Sequence, residues 1–351
     1  MQAASEPEVV QPDPPPSSES ELRSAGAPFD DKDADIIIQS SDNVHFRVHK
    51  LLLAKLFYGF EDMLGASTVG TGDVQASLDG LPVVPLSEPA KVLSPLLHML
   101  YPVPCPDLSD DWPTLLTLCM SMDKYVAKFY PSAVIQALTK VASTENGPGP
   151  ETIYVLACRH SSLRGLALSM ARLTLRTPSR LDRVPATLLV GLSATQFHAL
   201  FDYQNRCLRA AQDAMDAKDI VKWLPVPELP GNSTCGTNGC SCLYVDDLDG
   251  YAWEIEDVLG PAEDDVLYRK YPCQGRLIQW LKAFLDTAHA ALRTNISGSA
   301  VSDTERVVAA LTEMSKCEAC RKSEAPKLVR FVEKLAMHVD QAIDVVPFQG
   351  L

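Results

Sequence analysis

The chain has 351 residues and 46% hydrophobic side chains, enough to bury the cores of two or three domains. Its 45 acidic against 31 basic residues give a formal charge of −14, which argues against a nucleic-acid reader, because such a surface needs a basic stripe to displace counterions. There is no charged-then-apolar leader and no apolar run near membrane-spanning length, so a soluble cytoplasmic or nuclear protein with no membrane partner is expected.

Residues 1–27 hold Pro12, Pro14, Pro15 and Pro16, a Ser-rich run and almost no large apolar side chains, which predicts a disordered tail. Ile36, Ile37 and Ile38 then form a β-branched run, and Ser40, Ser41, Asp42 and Asn43 supply turn chemistry. Val44, Phe46 and Val48 alternate with His45 and Arg47, the two-residue period of a half-buried strand, so a β-hairpin is predicted. After His49 the period lengthens. Leu52, Leu53, Leu56, Phe57, Phe60, Met63 and Leu64 recur every three or four residues and predict one helix with a wide apolar face. The aperiodic, Gly-containing stretch from Gly65 to Gly80 reads as a loop, and Gly70-Thr71-Gly72 lacks the following Lys-Ser/Thr of a phosphate cradle.

Asp35, the Phe-x-x-His of the hairpin return at Phe46 and His49, and Leu53, Phe57, Phe60 and Met63 along the helix resemble the opening of a BTB/POZ domain. In that family a small residue sits mid-helix where this chain has Leu56 or Phe57. The resemblance continues through a third strand at Val83 to Leu86, a helix from Glu88 to Leu100 and the segment 122–130, with Tyr125 packed in the core. It implies an α+β domain over 28–143, a three-stranded sheet with helices, that forms a homodimer or binds protein partners, a cullin among them. The connector from Tyr101 to Leu108, with three prolines, resembles a group of fungal BTB proteins with a helical C-terminal extension and differs from the animal domains near their cullin contact.

The stripe of the Glu88 to Leu100 helix is Val92, Leu93, Leu96, Leu97 and Leu100. Two helices, Trp112 to Met122 and Asp123 to Val141, are expected to close the domain through Leu115, Leu116, Leu118, Cys119, Tyr125, Val126, Phe129, Val134 and Leu138. Residues 145–150 read as a linker. A helical extension over 150–223 follows, with a helix pair at Thr152 to His160 and Leu163 to Leu175. A longer helix is started by the capping box of Ser193 and Gln196, with Phe197, Leu200, Phe201, Leu208, Ala211 and Met215 on one stripe. The last region, 224–351, is Cys-containing and mostly α-helical, with helices at Gln274 to Asn295, Asp303 to Met314 and Pro326 to Val345.

Ten cysteines occur, and Cys105, Cys119, Cys158, Cys207 and Cys273 are scattered through ordinary apolar pattern, so reduced thiols are expected. Cys317 and Cys320 form a Cys-x-x-Cys at a helix junction, from which one turn supplies two thiolates. With Cys240 and Cys242, or Cys235 as an alternate, they make a candidate structural zinc site; His289 and His338 are spare donors, and thiols lying side by side in a loop are the alternative. Asp247, Asp249, Gly250 and Glu256 fit part of a calcium-loop pattern, but Val245 stands where the first carboxylate belongs. No Gly-x-Ser-x-Gly, His-Glu-x-x-His, Walker or dinucleotide motif is present, so no catalytic or cofactor-binding residue is assigned. The expected function is non-enzymatic protein–protein interaction, as a ubiquitin-ligase adaptor or a scaffold in transcriptional regulation. A metal-dependent or redox enzyme built on the C-terminal cysteines is the reading from another class.

Overall fold

A computed structural model describes residues 23–66, 77–177, 184–216, 220, 223–224, 228–231, 242, 244–245 and 277–350. The chain divides into two compact units, Met1–Ala137 and Leu138–Leu351, with the boundary inside a helix.

The first unit is built on the predicted hairpin. Strands β2 (Ile36–Gln39) and β3 (Val44–Val48) pair antiparallel, Ile36 opposite Val48 and Gln39 opposite His45. Asn43 closes the turn at φ 60°, a left-handed conformation that Asn tolerates, and Ser40 Oγ accepts from Val44 N at 2.9 Å. The sheet has five strands, not the expected three. β1 (Arg23–Ser24) runs parallel to β3, and β4 (Ser77–Leu78) pairs with β5 (Leu81–Pro85), which lies parallel to β2, giving the order β1-β3-β2-β5-β4. Both additional strands are two residues long, too short to show a hydrophobic period, and they fall in the tail and loop predicted over 1–27 and Gly65 to Gly80. Phe29 is buried against Phe46, with ring centroids 5.3 Å apart.

The helix expected after His49 is two helices, α1 (Lys50–Leu56) and α2 (Tyr58–Ala66), separated by an extended Phe57. Main chain from 125–128 takes over the hydrogen bonds there. Phe57 bridges Ala127, Tyr58 N donates to Val126 O and Gly59 N to Tyr125 O at 3.0 Å, and Lys128 N donates to Leu56 O at 2.7 Å. Glycine is required at position 59, because a Cβ would lie 2.8 Å from Tyr125 O. The same contact breaks the helix predicted over Asp123 to Val141. α4 (Trp112–Lys124) stops before Tyr125, Val126 takes a left-handed φ of 55°, and α5 (Ser132–Ala142) starts after Pro131. Leu115, Leu116, Leu118, Cys119, Val134 and Leu138 are buried as expected, whereas Val126 and Phe129 are exposed and Tyr125 is half-buried. Phe57 and Phe60 form the buried face of the α1–α2 pair with Leu53 and Leu56, while Met63 lies near the surface.

Hairpin carboxylates start two helices. Asp35 Oδ1 accepts from Lys50 N at the head of α1, and Asp42 Oδ1 from Ala90 N at the head of α3 (Ala90–His98), both at 2.7 Å. These bonds fix each helix to the sheet as well as satisfying its first amides. His49 Nδ1 lies 3.1 Å from Tyr101 Oη, which ties the hairpin return to the end of α3. Val92, Leu93, Leu96 and Leu97 of α3 are buried and Leu100 lies half-buried beyond its end.

Glu88 sits before α3, not in its first turn, and it is buried. Its carboxylate accepts from Lys124 Nζ at 2.8 Å and from Tyr125 Oη. Burial opposes its ionisation, but these two hydrogen bonds outweigh burial and hold its pKa below the ordinary 4.5. Burial, and then the hydrogen bond to Glu88 and its charge, push the Tyr125 hydroxyl up. A folded pKa below the unfolded one contributes stability above the unfolded value, and that contribution is lost as pH falls through the folded one. Glu88→Gln should therefore cost about 2 kcal/mol at neutral pH. The gap to the wild type should begin to narrow only as pH falls below about 4.5 and close once the folded-state carboxyl is protonated, read in urea melts across pH; a gap that does not narrow on acidification would contradict this.

The second unit is helical throughout its described length apart from one two-stranded pairing. α6 (Pro150–Ala157) packs on α7 (Arg164–Leu173), and the predicted linker residues 147–150 are buried beside them. After α8 (Ala186–Leu189), α9 (Ala194–Ala214) begins with both halves of the Ser193–Gln196 capping box formed. Its buried stripe is Ala199, Leu200, Tyr203, Cys207, Ala211 and Ala214; the predicted Phe197 is exposed and meets Phe201 edge-to-face, ring centroids 4.9 Å apart. β6 (Tyr244–Val245) pairs with β7 (Leu277–Ile278), which leads directly into α10 (Gln279–Leu292). α11 (Gly298–Val301), α12 (Thr304–Ser315), α13 (Glu318–Ser323) and α14 (Ala325–Asp344) complete the unit. α14 buries the predicted Leu328, Phe331, Val332, Leu335, Val339 and Ile343 and packs on α9 and α11. Among the described residues no helix is long and apolar enough to cross a membrane.

Candidate metal centre

Three thiols meet in the second unit. Cys317 is the extended residue before α13, and Cys320 lies inside α13, so a single helix start presents both. Cys242 arrives from the other side. It lies two residues before β6, whose pairing with β7 holds it beside α10, and α10 in turn packs on α12. This chain of contacts brings Cys242 to residues far along the sequence. The three sulfurs lie within 4.8 Å of one another, and Cys242 Sγ is 3.6 Å from Cys320 Sγ.

The geometry suits a soft metal. Zinc with sulfur bonds of about 2.3 Å places tetrahedral thiolates about 3.8 Å apart. The Cys242–Cys320 separation already matches one such edge, and the remaining pairs need to close by at most about 1 Å. Cys317 and Cys320 are buried and Cys242 is half-buried, so a metal here would be largely shielded from water. Cys240 and Cys235 lie outside the described residues, as does the calcium-like stretch at 247–256. The spare donors do not join the cluster: His338 lies against Trp223, ring centroids 5.0 Å apart, and His289 sits on α10 with burial holding its pKa below the ordinary value.

A second tie closes the same place. Glu324, wholly buried at the α13–α14 junction, accepts from Gly231 N at 2.7 Å and from Ser323 Oγ at 3.1 Å, with Lys327 Nζ at 3.5 Å. Gly231 has φ +87°, and a Cβ there would meet Ile278 Cγ2 at 2.6 Å. Gly231 and Cys242, which flank 232–241, are thus both fastened where α13 meets α14.

An open cavity of about 380 Å³ adjoins the thiols, lined by Cys242, Cys317, Gln279, Trp280, Glu313 and Lys316. Trp280 is buried, and its Nε1–H has no acceptor among the described residues. Sequence reasoning missed Trp280, Glu324 and the cavity. Trp280 lies at the start of α10, which begins at Gln279 because Leu277 and Ile278 of the helix predicted from Gln274 pair as strand β7, and Glu324 carries no local sign of burial; its partner is an amide far away in sequence.

The scattered thiols are of another kind. Burial pushes the Cys119 and Cys207 thiols up, and Cys158, beside Tyr154, is pushed up to about 11 by the same cause, so they behave as small apolar core groups. No family model matches the chain, and no curated protein matches it.

Proposed function

We propose that this is a non-enzymatic protein–protein interaction protein: a BTB/POZ-type first unit that binds a protein partner, and a helical second unit stapled by zinc. The observation that supports binding is an apolar opening of about 370 Å³ on the first unit, walled by Leu52, Leu56, Met99, Leu100, Phe129 and Pro131, with Lys55 at its edge. Phe129 is 50% exposed at this opening, an apolar side chain of the kind that partners cover. Zinc is supported by the three thiols, with Cys240, two residues from Cys242, as the fourth donor in sequence.

The family resemblance makes the N-terminal region of a cullin the first partner to test. The full chain should retain that region in a pull-down, and Phe129→Glu, which changes an exposed side chain and spares the fold, should reduce retention at least about tenfold. No retention by the wild type removes the adaptor reading and leaves the scaffold. Light scattering that finds a monomer at micromolar concentration removes BTB-type self-association.

A further inference from the structure

We propose that Cys242 and Cys320 form a peroxide-sensitive pair, which becomes a disulfide when the thiolate centre is oxidised and so replaces one covalent clamp with another. The inference deepens the zinc reading above and rests on it for the metal it releases. The pair is selected by geometry, not by motif. Cys317 and Cys320 carry the Cys-x-x-Cys spacing, yet Cys242 is the cysteine whose sulfur lies 3.6 Å from Cys320 Sγ, and a disulfide needs closure to about 2.05 Å.

Access divides the roles. Cys242 is half-buried and lines the 380 Å³ cavity, whereas Cys320 is fully buried behind it and does not line that cavity. Cys317 also lines the cavity but is buried, so a small oxidant entering it meets Cys242, the more exposed of the two, before it can reach Cys320. The Cys242 thiolate attacks one oxygen of hydrogen peroxide, the O–O bond breaks, and with one proton the products are the Cys242 sulfenic acid and water. The Cys320 thiolate then attacks the Cys242 sulfur; the S–O bond breaks and, with a second proton, water leaves. Two thiolates are oxidised, one peroxide is reduced to two waters, and the metal loses two donors and departs. Cys317 stays a thiol. The segment at Cys242 remains fastened to α13 in both states, because the disulfide joins the same two elements as the metal.

The test is peroxide treatment of the purified full chain, with metal release followed by a chromophoric chelator and disulfides mapped by mass spectrometry after alkylation in denaturant. The expected result is stoichiometric metal release with a Cys242–Cys320 linkage as the main product, both reversed by a thiol reductant and metal. In Cys320→Ser, a sulfenic-acid trap should label Cys242. Cys317→Ser keeps the pair and should still give the 242–320 linkage even if it no longer holds metal. A main linkage between Cys317 and Cys320, or to any other cysteine, or no linkage, overturns the proposal. Failure of the zinc reading is separable: a protein purified without zinc refutes the metal, while the linkage can still be scored on its thiols.

Discussion

Phe60→Asp should unfold the first unit. The Phe60 side chain is 1% exposed, its ring lies 4.8 Å from that of Tyr125 and 5.6 Å from that of Phe57, and it sits one residue beyond Gly59, where α2 is stitched to the 125–128 main chain. Removing a buried Phe costs about 3–5 kcal/mol through lost transfer energy and the cavity left behind. The new carboxylate would have to ionise among aromatic rings or stay neutral without a partner, either of which adds several kcal/mol. The sum reaches or exceeds the whole stability of an ordinary domain, about 5–15 kcal/mol. Phe60→Leu, a smaller change of shape, should cost only about 1–2 kcal/mol and serves as the control. Leu97→Asp on α3, equally buried, should behave like Phe60→Asp. The measurement is hydrogen exchange in the full chain: protection in β2, β3 and α4 should disappear in the Asp variants and persist in Phe60→Leu. Retained protection in Phe60→Asp would sink the core assignment.

The residues that made this core legible are those whose burial follows a period. Ile36 to Ile38 is a β-branched run buried on both faces of its strand, and the Val44–Val48 alternation, the α3 stripe and the six positions of α14 are each set by contacts along one face, so run and spacing locate them. What spacing could not show was where one segment's main chain displaces another's. Phe57 lies in perfect helical register with Leu53 and Phe60, yet it is extended because residues 125–128 claim the amides and carbonyls that would have continued the helix. Gly59 was the local signal, since glycine inside an otherwise apolar helix marks a close backbone approach. Phe197 and Phe201 misled for the opposite reason. Both are large and apolar, but they pair with one another on the outer side of α9 while smaller Ala199, Cys207 and Ala211 meet the neighbouring helices. At the thiols the Cys-x-x-Cys spacing was readable, and Cys242, one of the companions the sequence offered, lies within 4.8 Å of both of its sulfurs. The Gly231–Glu324 tie beside it was not readable, because no pattern connects an amide to a carboxylate so distant in sequence.

Cys320→Ser should be the most damaging single change in the second unit, and its damage should depend on metal. Structural zinc binds with about 10–16 kcal/mol of apparent free energy, drawn on only by the folded arrangement of its ligands, so it acts as folding free energy. A shielded centre joining the Cys242 segment to α13 should supply a large part of that to the α10–α13 region even if the rest of the helical unit persists without it. The expected loss on Cys320→Ser is about 4 kcal/mol or more, read as lost exchange protection across α12, α13 and the β6–β7 pairing. A strong chelator should reproduce it in the wild type and change nothing further in the variant. Cys207→Ser provides the contrast. That thiol is equally buried, on α9, but stands outside the cluster, so its replacement should cost about 1–2 kcal/mol from placing a hydroxyl in an apolar site, independent of chelator. The comparison separates a metal staple from a well-packed sulfur. If Cys320→Ser and Cys207→Ser lose the same stability, and the chelator alters neither the wild type nor the variants, the three thiols are core packing and the zinc reading falls.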